Sequence, residues 1–165
     1  MAASGDGTTP VTCRDVTRTY DRRDSRLSPD DGESVTALSG VSLAVDRGEV
    51  VGLAGPSGSG KSTLCHLLAA LETPTSGSVL IEGEDTSTLS SGERTRRRLD
   101  RVGLVFQRFH LLPALSARGN VALPLVERGV SKAARRERAT EVLESVGLGD
   151  RTDHRPGALS GGERQ

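Results

Sequence analysis

Gly55-Pro56-Ser57-Gly58-Ser59-Gly60-Lys61-Ser62, followed by Thr63, is the stretch on which the reading of this chain turns. It fits the spacing G-x-x-x-x-G-K-[ST]. A triphosphate needs a concave set of donors, and successive backbone N–H groups supply one only where no Cβ intrudes. Gly55, Gly58 and Gly60 meet that need and admit backbone angles closed to other residues. A helix starting near Gly60 adds the positive end of its dipole. Lys61 then serves as a point charge for the outer phosphates, and the Ser62 hydroxyl as a ligand for Mg²⁺. Basic residues in this chain are nearly all arginine; lysine occurs only at Lys61 and Lys132.

The flanks supply the context this loop requires. Upstream, Glu49 to Ala54 is an apolar run (Val50-Val51-Gly52-Leu53-Ala54) suited to a strand buried on both faces. Downstream, Leu64, Leu67, Leu68 and Leu71 fall on one helical face, and Pro74 and Gly77 end that helix. Farther out, Val11 to Tyr20 reads as a strand, Asp21 to Ser34 as a polar loop, and Val41 to Val45 as a second strand. Asp46-Arg47-Gly48 is a turn. Ser78 to Ile81 is a short strand, Ser90 to Arg98 a polar helix and Val102 to Phe106 a further apolar strand. Ala117 to Arg128 is helical but broken at Pro124. Ser131 to Val146 is a helix with Ser131 as N-cap and Gly147 as its stop. Strands alternating with helices predict an α/β domain with a largely parallel sheet. Residues 1–10 are small and polar and are read as a disordered N-terminus.

Composition narrows the function. The 165 residues carry no net formal charge, which gives no general attraction to nucleic acid or anionic lipid. The apolar fraction is 34% and the aromatic fraction 2%, implying a core of small aliphatic side chains or one that lacks a part. Cys13 and Cys65 stand apart without CxxC spacing, and His66, His110 and His154 are scattered, so neither a disulfide framework nor a metal cluster is expected. No run approaches ~18 apolar residues, and the first ten residues lack a signal-peptide pattern. A cytosolic chain that needs a partner for any membrane work is the resulting expectation.

Taken alone, the loop specifies a P-loop NTPase, which admits kinases, GTPases and motors. Leu159-Ser160-Gly161-Gly162-Glu163-Arg164-Gln165, about a hundred residues later, narrows this. A serine at a helix start followed by two glycines reads by itself as an ordinary N-cap, and equally has the parts of a second phosphate clamp: a hydroxyl, bare N–H groups and a dipole end. The seven residues match the LSGGERQ signature, and the chain resembles the ATP-binding-cassette (ABC) ATPases from Val11 to Gln165. Val105-Phe106-Gln107 is similar to that family's Q-loop, and Tyr20 to the aromatic that stacks on adenine. Pro74-Thr75-Ser76-Gly77, Phe109-His110-Leu111-Leu112-Pro113 and Asn120-Val121 look like the branch serving lipoprotein-release and macrolide-efflux transporters. Gly119 stands where that family usually has Glu, implying a looser turn.

This resemblance implies an α/β, ABC-type nucleotide-binding domain binding ATP and Mg²⁺. Its core with the phosphate loop would span residues 11–106 and a helical subdomain about 107–165. Gly55, Pro56, Ser57, Gly58, Ser59, Gly60, Lys61, Ser62 and Thr63 would hold the nucleotide, with Tyr20 at the base. Ser62 and Gln107 would meet Mg²⁺, Gln107 also sensing the attacking water. Ser160, Gly161 and Gly162 would close on ATP held by the opposite subunit of a homodimer. A membrane permease is the implied partner, with the chain peripheral on the cytoplasmic face and without nucleic acid. In the family the Walker B Asp, the catalytic Glu and the switch His follow the signature; none lies among these residues. The central strands that belong there are likewise expected to be absent, leaving edges and apolar faces uncovered. Two other readings stay open: a non-hydrolytic nucleotide-binding or regulatory module, and a soluble DNA-repair-type ABC ATPase, against which the short spacing counts.

Overall fold

A computed structural model describes residues 9–21 and 34–165. The expected disordered segment 1–10, apart from Thr9 and Pro10, and most of the Asp21 to Ser34 loop lie outside the described residues. The chain divides into two compact units, residues 1–102 and 103–165.

In the first unit, β1 (Val11–Tyr20), β2 (Val35–Val45), β3 (Ser76–Ile81) and β4 (Glu84–Asp85) form one sheet in the order β2-β1-β3-β4. All three pairings are antiparallel. The expected parallel sheet is therefore not what the described residues build. Glu49 to Ala54 and Val102 to Phe106, the two runs expected as buried strands, belong to no strand. Val50 and Val105 are each 95% exposed, since no neighbouring strand among the described residues offers either run a ladder of hydrogen bonds.

The sheet is held from one side by α1 (Lys61–Leu68), whose Leu64 and Leu67 are buried against Cys13, Val16, Leu38 and Val79. Burial of each such side chain contributes roughly 1.5–3 kcal/mol. The helix ends at its C-cap Ala69, earlier than expected, and Ala70 takes a left-handed φ of 52°. Leu71, expected on the apolar face, is left 40% exposed beyond that end. Gly77 does not stop α1 either. It lies in β3, with φ +80°, where the bulged backbone of β1 comes so close that a Cβ would sit 2.3 Å from the Asp15 carbonyl oxygen. The α2 helix (Ser91–Arg101) opens on a capping box: Ser90 Oγ accepts from the Glu93 N–H, and Glu93 accepts from the Ser90 N–H.

The second unit is helical. Its elements are α3 (Ala117–Glu127), α4 (Lys132–Ser145) and α5 (Gly161–Arg164), with short 3₁₀ turns at Gly149–Arg151 and Pro156–Ala158. Pro124 does not break α3. It lies in the last turns, and the helix continues past it with the Arg128 N–H bonded to the Pro124 carbonyl. The stop of α4 at Gly147 is as expected and takes the Schellman form. The Leu148 N–H reaches the Leu143 carbonyl and the Gly147 N–H the Glu144 carbonyl, with Leu148 packed beside Leu143. Ala117, Leu143 and Leu159 make this unit's small core. The turn before α3 is not loosened at Gly119. Asn120 Oδ1 accepts from the Leu112 N–H at 2.7 Å, its Nδ2 donates to the Leu112 and Ser116 carbonyls, and Ser116 Oγ caps the Gly119 N–H.

Candidate functional site

The phosphate loop runs from the unpaired segment 49–54 into α1. Gly55, Gly58 and Gly60 all have positive φ (154°, 81° and 86°). At Gly60 the requirement is also spatial, because a Cβ would lie 2.5 Å from the Ala37 carbonyl oxygen and 2.7 Å from Leu38 Cδ2. The loop is thus pressed against β2 where only a glycine fits. Ser57, Gly58, Ser59, Gly60, Lys61, Ser62 and Thr63 line one open cavity of about 330 Å³ together with Ala37. No residue of α1's first turn is acidic, so nothing there competes for the donors at its N-terminus. Lys61 Nζ donates to the Gly55 carbonyl (2.9 Å), the Pro56 carbonyl (2.7 Å) and Ser59 Oγ (3.3 Å). The ammonium therefore spans the loop from inside and puts its charge at the mouth of the cradle. Gly58 leaves open the space a Cβ would fill, and the lysine supplies the charge, so the residues present fit a polyphosphate.

Tyr20 ends β1 and pairs with Val35, two residues from Ala37 on β2. It is half-buried, its hydroxyl donates to Glu72 Oε2 at 2.7 Å, and the Arg18 guanidinium lies 4.6 Å from its ring centroid.

In the second unit, Gln107 sits in a bend, exposed, and lines an open cavity of about 720 Å³ with Phe106, Phe109, Arg164 and Gln165 among others. Arg164 lies over the Phe109 ring at 6.0 Å, and Phe106 meets His110 edge-on at 4.8 Å. The Q-loop-like segment and the end of the signature therefore share one concavity. Ser160 is the N-cap of α5 in a second capping box: its Oγ accepts from the Glu163 N–H at 3.2 Å, while Glu163 accepts from the Ser160 N–H at 2.7 Å. A hydroxyl that accepts there still has its own proton to donate outward. Gly161 and Gly162 follow with nothing within 4 Å of a notional Cβ.

The Ser160 backbone and hydroxyl, then Arg151 and His154, hold the Glu163 carboxyl below the ordinary value of 4.5. A carboxylate whose folded value is depressed keeps its contribution above the unfolded value and loses it as pH falls through the folded one. The signature cap is therefore expected to persist through weakly acidic solution. An NMR titration of the Glu163 carboxyl should give a midpoint below 4.5; a midpoint at or above it would mean the cap is not formed in solution.

Sequence reasoning missed Ala37, Arg18 and Glu72 near the loop and ring. Glu72 is far from Tyr20 in sequence, and no local pattern marks it. The Ser-x-x-Glu spacing at Ser90 and Ser160, not read from the sequence as capping boxes, marks the starts of α2 and α5. Among the described residues no cluster of His, Cys, Asp and Glu could hold a metal ion, and no helix is long and apolar enough to cross a membrane.

Residues 38–165 match the sequence profile of the family described as ABC transporter. The chain is 52% identical over 132 residues to the lipoprotein-releasing system ATP-binding protein LolD of Roseobacter denitrificans, covering 80% of this chain and 58% of that one. It is 47% identical over 133 residues to the macrolide export ATP-binding/permease protein MacB of a Shewanella species, covering 81% of this chain and 21% of that one. The chain thus spans about a fifth of the macrolide export relative and somewhat over half of the lipoprotein-release one. Among solved structures it resembles the dimeric ATP-binding cassette MJ0796 in a post-hydrolysis state bound to ADP and Pi, with TM-score 0.79 and 39% identity, covering 93% of this chain and 65% of that one. Loop, signature, profile and fold agree: the chain belongs to the ABC transporter family and has the α/β nucleotide-binding fold of its ATP-binding cassettes.

Proposed function

We propose that this chain is the ATP-binding part of an exporter-type membrane transporter, coupling ATP binding and hydrolysis to movement of a permease. The observation that carries the proposal is the phosphate loop: three glycines with positive φ, one of them wedged against β2, around a lysine whose ammonium is held at the cradle. Gly55 to Thr63 hold the phosphates, and Tyr20 takes the base. Ser62 and Gln107 are assigned to Mg²⁺, which when bound neutralises charge on the outer phosphates. Ser160 and Gly162 meet the γ-phosphate of ATP on the opposite subunit of a homodimer. The complex would sit on the cytoplasmic face of the membrane, with residues 107–129 toward the permease.

The first unit gives no support to the DNA-repair-type reading. Its most basic element, α2, uses four of its five arginines internally: Arg94 on the Leu89 carbonyl, Arg97 on Glu84, Arg98 on the Ala70 carbonyl and Arg101 on Glu82. Cations tied to carbonyls and carboxylates of their own unit are poor counter-ions for a phosphate backbone.

The test is to measure ATP binding and turnover on these 165 residues together. Binding with turnover at background is expected, because phosphoryl transfer needs a positioned base for water and no residue here is assigned that role. Turnover that disappears in Lys61→Ala would mean that the catalytic carboxylate lies among these residues. Absence of ATP binding would remove the proposal.

A further inference from the structure

Glu72 makes more contacts than a loop carboxylate needs. Its Oε2 accepts from the Tyr20 hydroxyl at 2.7 Å and pairs with Arg18 Nη2 at 3.2 Å, while Oε1 meets His66 Nδ1 at 3.3 Å. Arg18 in turn donates from Nη1 to the Thr73 carbonyl at 3.0 Å and lays its guanidinium over one face of the Tyr20 ring. The phenol is therefore fixed at two points, hydroxyl and face. Its carboxylate anchor follows α1, and His66 lies on α1 itself, the helix that the phosphate loop begins.

Aromatic platforms are scarce here. The chain has one tyrosine, two phenylalanines and no tryptophan, and both phenylalanines belong to the second unit. In the unit that carries the phosphate loop, Tyr20 is the only benzenoid ring on which a base could stack. It pairs with Val35, about 7 Å along β2 from the Ala37 that lines the phosphate cavity.

We infer that Glu72 is a positioning residue for the nucleotide base. With Arg18 it locks the Tyr20 ring so that one face is covered and the other is presented to a purine, and it ties that ring to the helix that sets the phosphate loop. This rests on Tyr20 being the base platform. A stacked face accepts any purine, so the device governs affinity for nucleotide over bare phosphate, not adenine over guanine.

Because Tyr20 is the sole tyrosine and tryptophan is absent, the emission of the full chain excited at tyrosine wavelengths reports on this ring alone. The experiment compares ATP and inorganic tripolyphosphate binding by calorimetry in the native chain, Glu72→Ala, Glu72→Gln and Tyr20→Ala, with tyrosine emission recorded for each chain that keeps the ring. Glu72→Ala should bind ATP about tenfold more weakly while tripolyphosphate binding is unchanged. Its emission should rise, because a carboxylate hydrogen-bonded to the phenol quenches it. Glu72→Gln, which can still accept from the hydroxyl, should recover most of the ATP affinity. Native ATP affinity in Glu72→Ala beside a tenfold loss in Tyr20→Ala would overturn the role of Glu72. Equal losses for both ligands would overturn it too, by showing general damage. If Tyr20→Ala leaves the ratio of the two affinities unchanged, the base platform and this inference fall together, yet tripolyphosphate binding would leave the phosphate loop standing. Failure of both ligands to bind the native chain would instead remove the proposed function.

Discussion

Lys61→Ala is expected to weaken ATP binding by roughly 30- to 150-fold, about 2–3 kcal/mol. The residue acts twice. Its ammonium supplies charge-assisted hydrogen bonds to phosphate, the stronger class of such bonds. It also donates to the Gly55 and Pro56 carbonyls, fastening the start of the loop to the start of α1. Removing it deletes the ligand's counter-charge and lets two carbonyls that now face an ammonium face the phosphates instead. The other lysine in the chain, Lys132 at the start of α4 in the second unit, is the natural control. Lys132→Ala should leave ATP affinity within about twofold, since surface substitutions away from special features act weakly. Calorimetric titration of both variants decides the matter. Equal affinities for Lys61→Ala and the native chain would show that the lysine faces no phosphate.

The second large effect falls on stability. Gly77→Ala should cost about 3–5 kcal/mol, with a melting temperature lower by roughly 10 °C or more. Two penalties combine. A left-handed φ of +80° disfavours any Cβ by about 1–2 kcal/mol. The added Cβ would also lie 2.3 Å from the Asp15 carbonyl oxygen and 2.6 Å from that of Arg14, both backbone atoms of β1 that cannot swing aside. Gly48 separates the two terms, for its φ is +77° but nothing lies within 4 Å of its notional Cβ. Gly48→Ala should show the conformational penalty alone. Thermal melts of the two variants should therefore differ severalfold in their shifts. Similar shifts would mean that β1 and β3 are not so closely apposed in solution.

Where the sequence was informative, the pattern was local. The phosphate loop, the signature, and the ends of α4 at Ser131 and Gly147 depend on residues within a few positions of one another. Dipoles, caps and left-handed glycines act at that range. What could not be read depends on neighbours distant in sequence. Val50 to Ala54 has the composition of a buried strand, but composition does not supply a pairing partner, and the segment stays unpaired among the described residues. Gly77 looks like a helix stop after Pro74 because its real constraint, the bulged backbone of β1 near Asp15, lies far back in the chain. Pro124 looks like a helix breaker, yet a proline near a helix end removes only one bond and the packing of α3 on α4 carries the helix through. The antiparallel sheet was missed for the same reason: alternation of element types indicates parallel crossovers, whereas β1, β2 and β3 pair by direct apposition.

The antiparallel sheet, α1 and the phosphate loop are all drawn from residues before Val102. During synthesis this whole assembly clears the ribosome before the signature has been translated, and domains generally fold as units from the N-terminus onward. The nucleotide cradle can then form as a nascent structure, with Val50, Val51 and Leu53 still in contact with solvent. These three side chains are exposed in the 165 residues as a whole as well, so adding residues 103–165 does not end their contact with solvent, and they are apolar sites of the kind by which a nascent chain recruits a holdase chaperone.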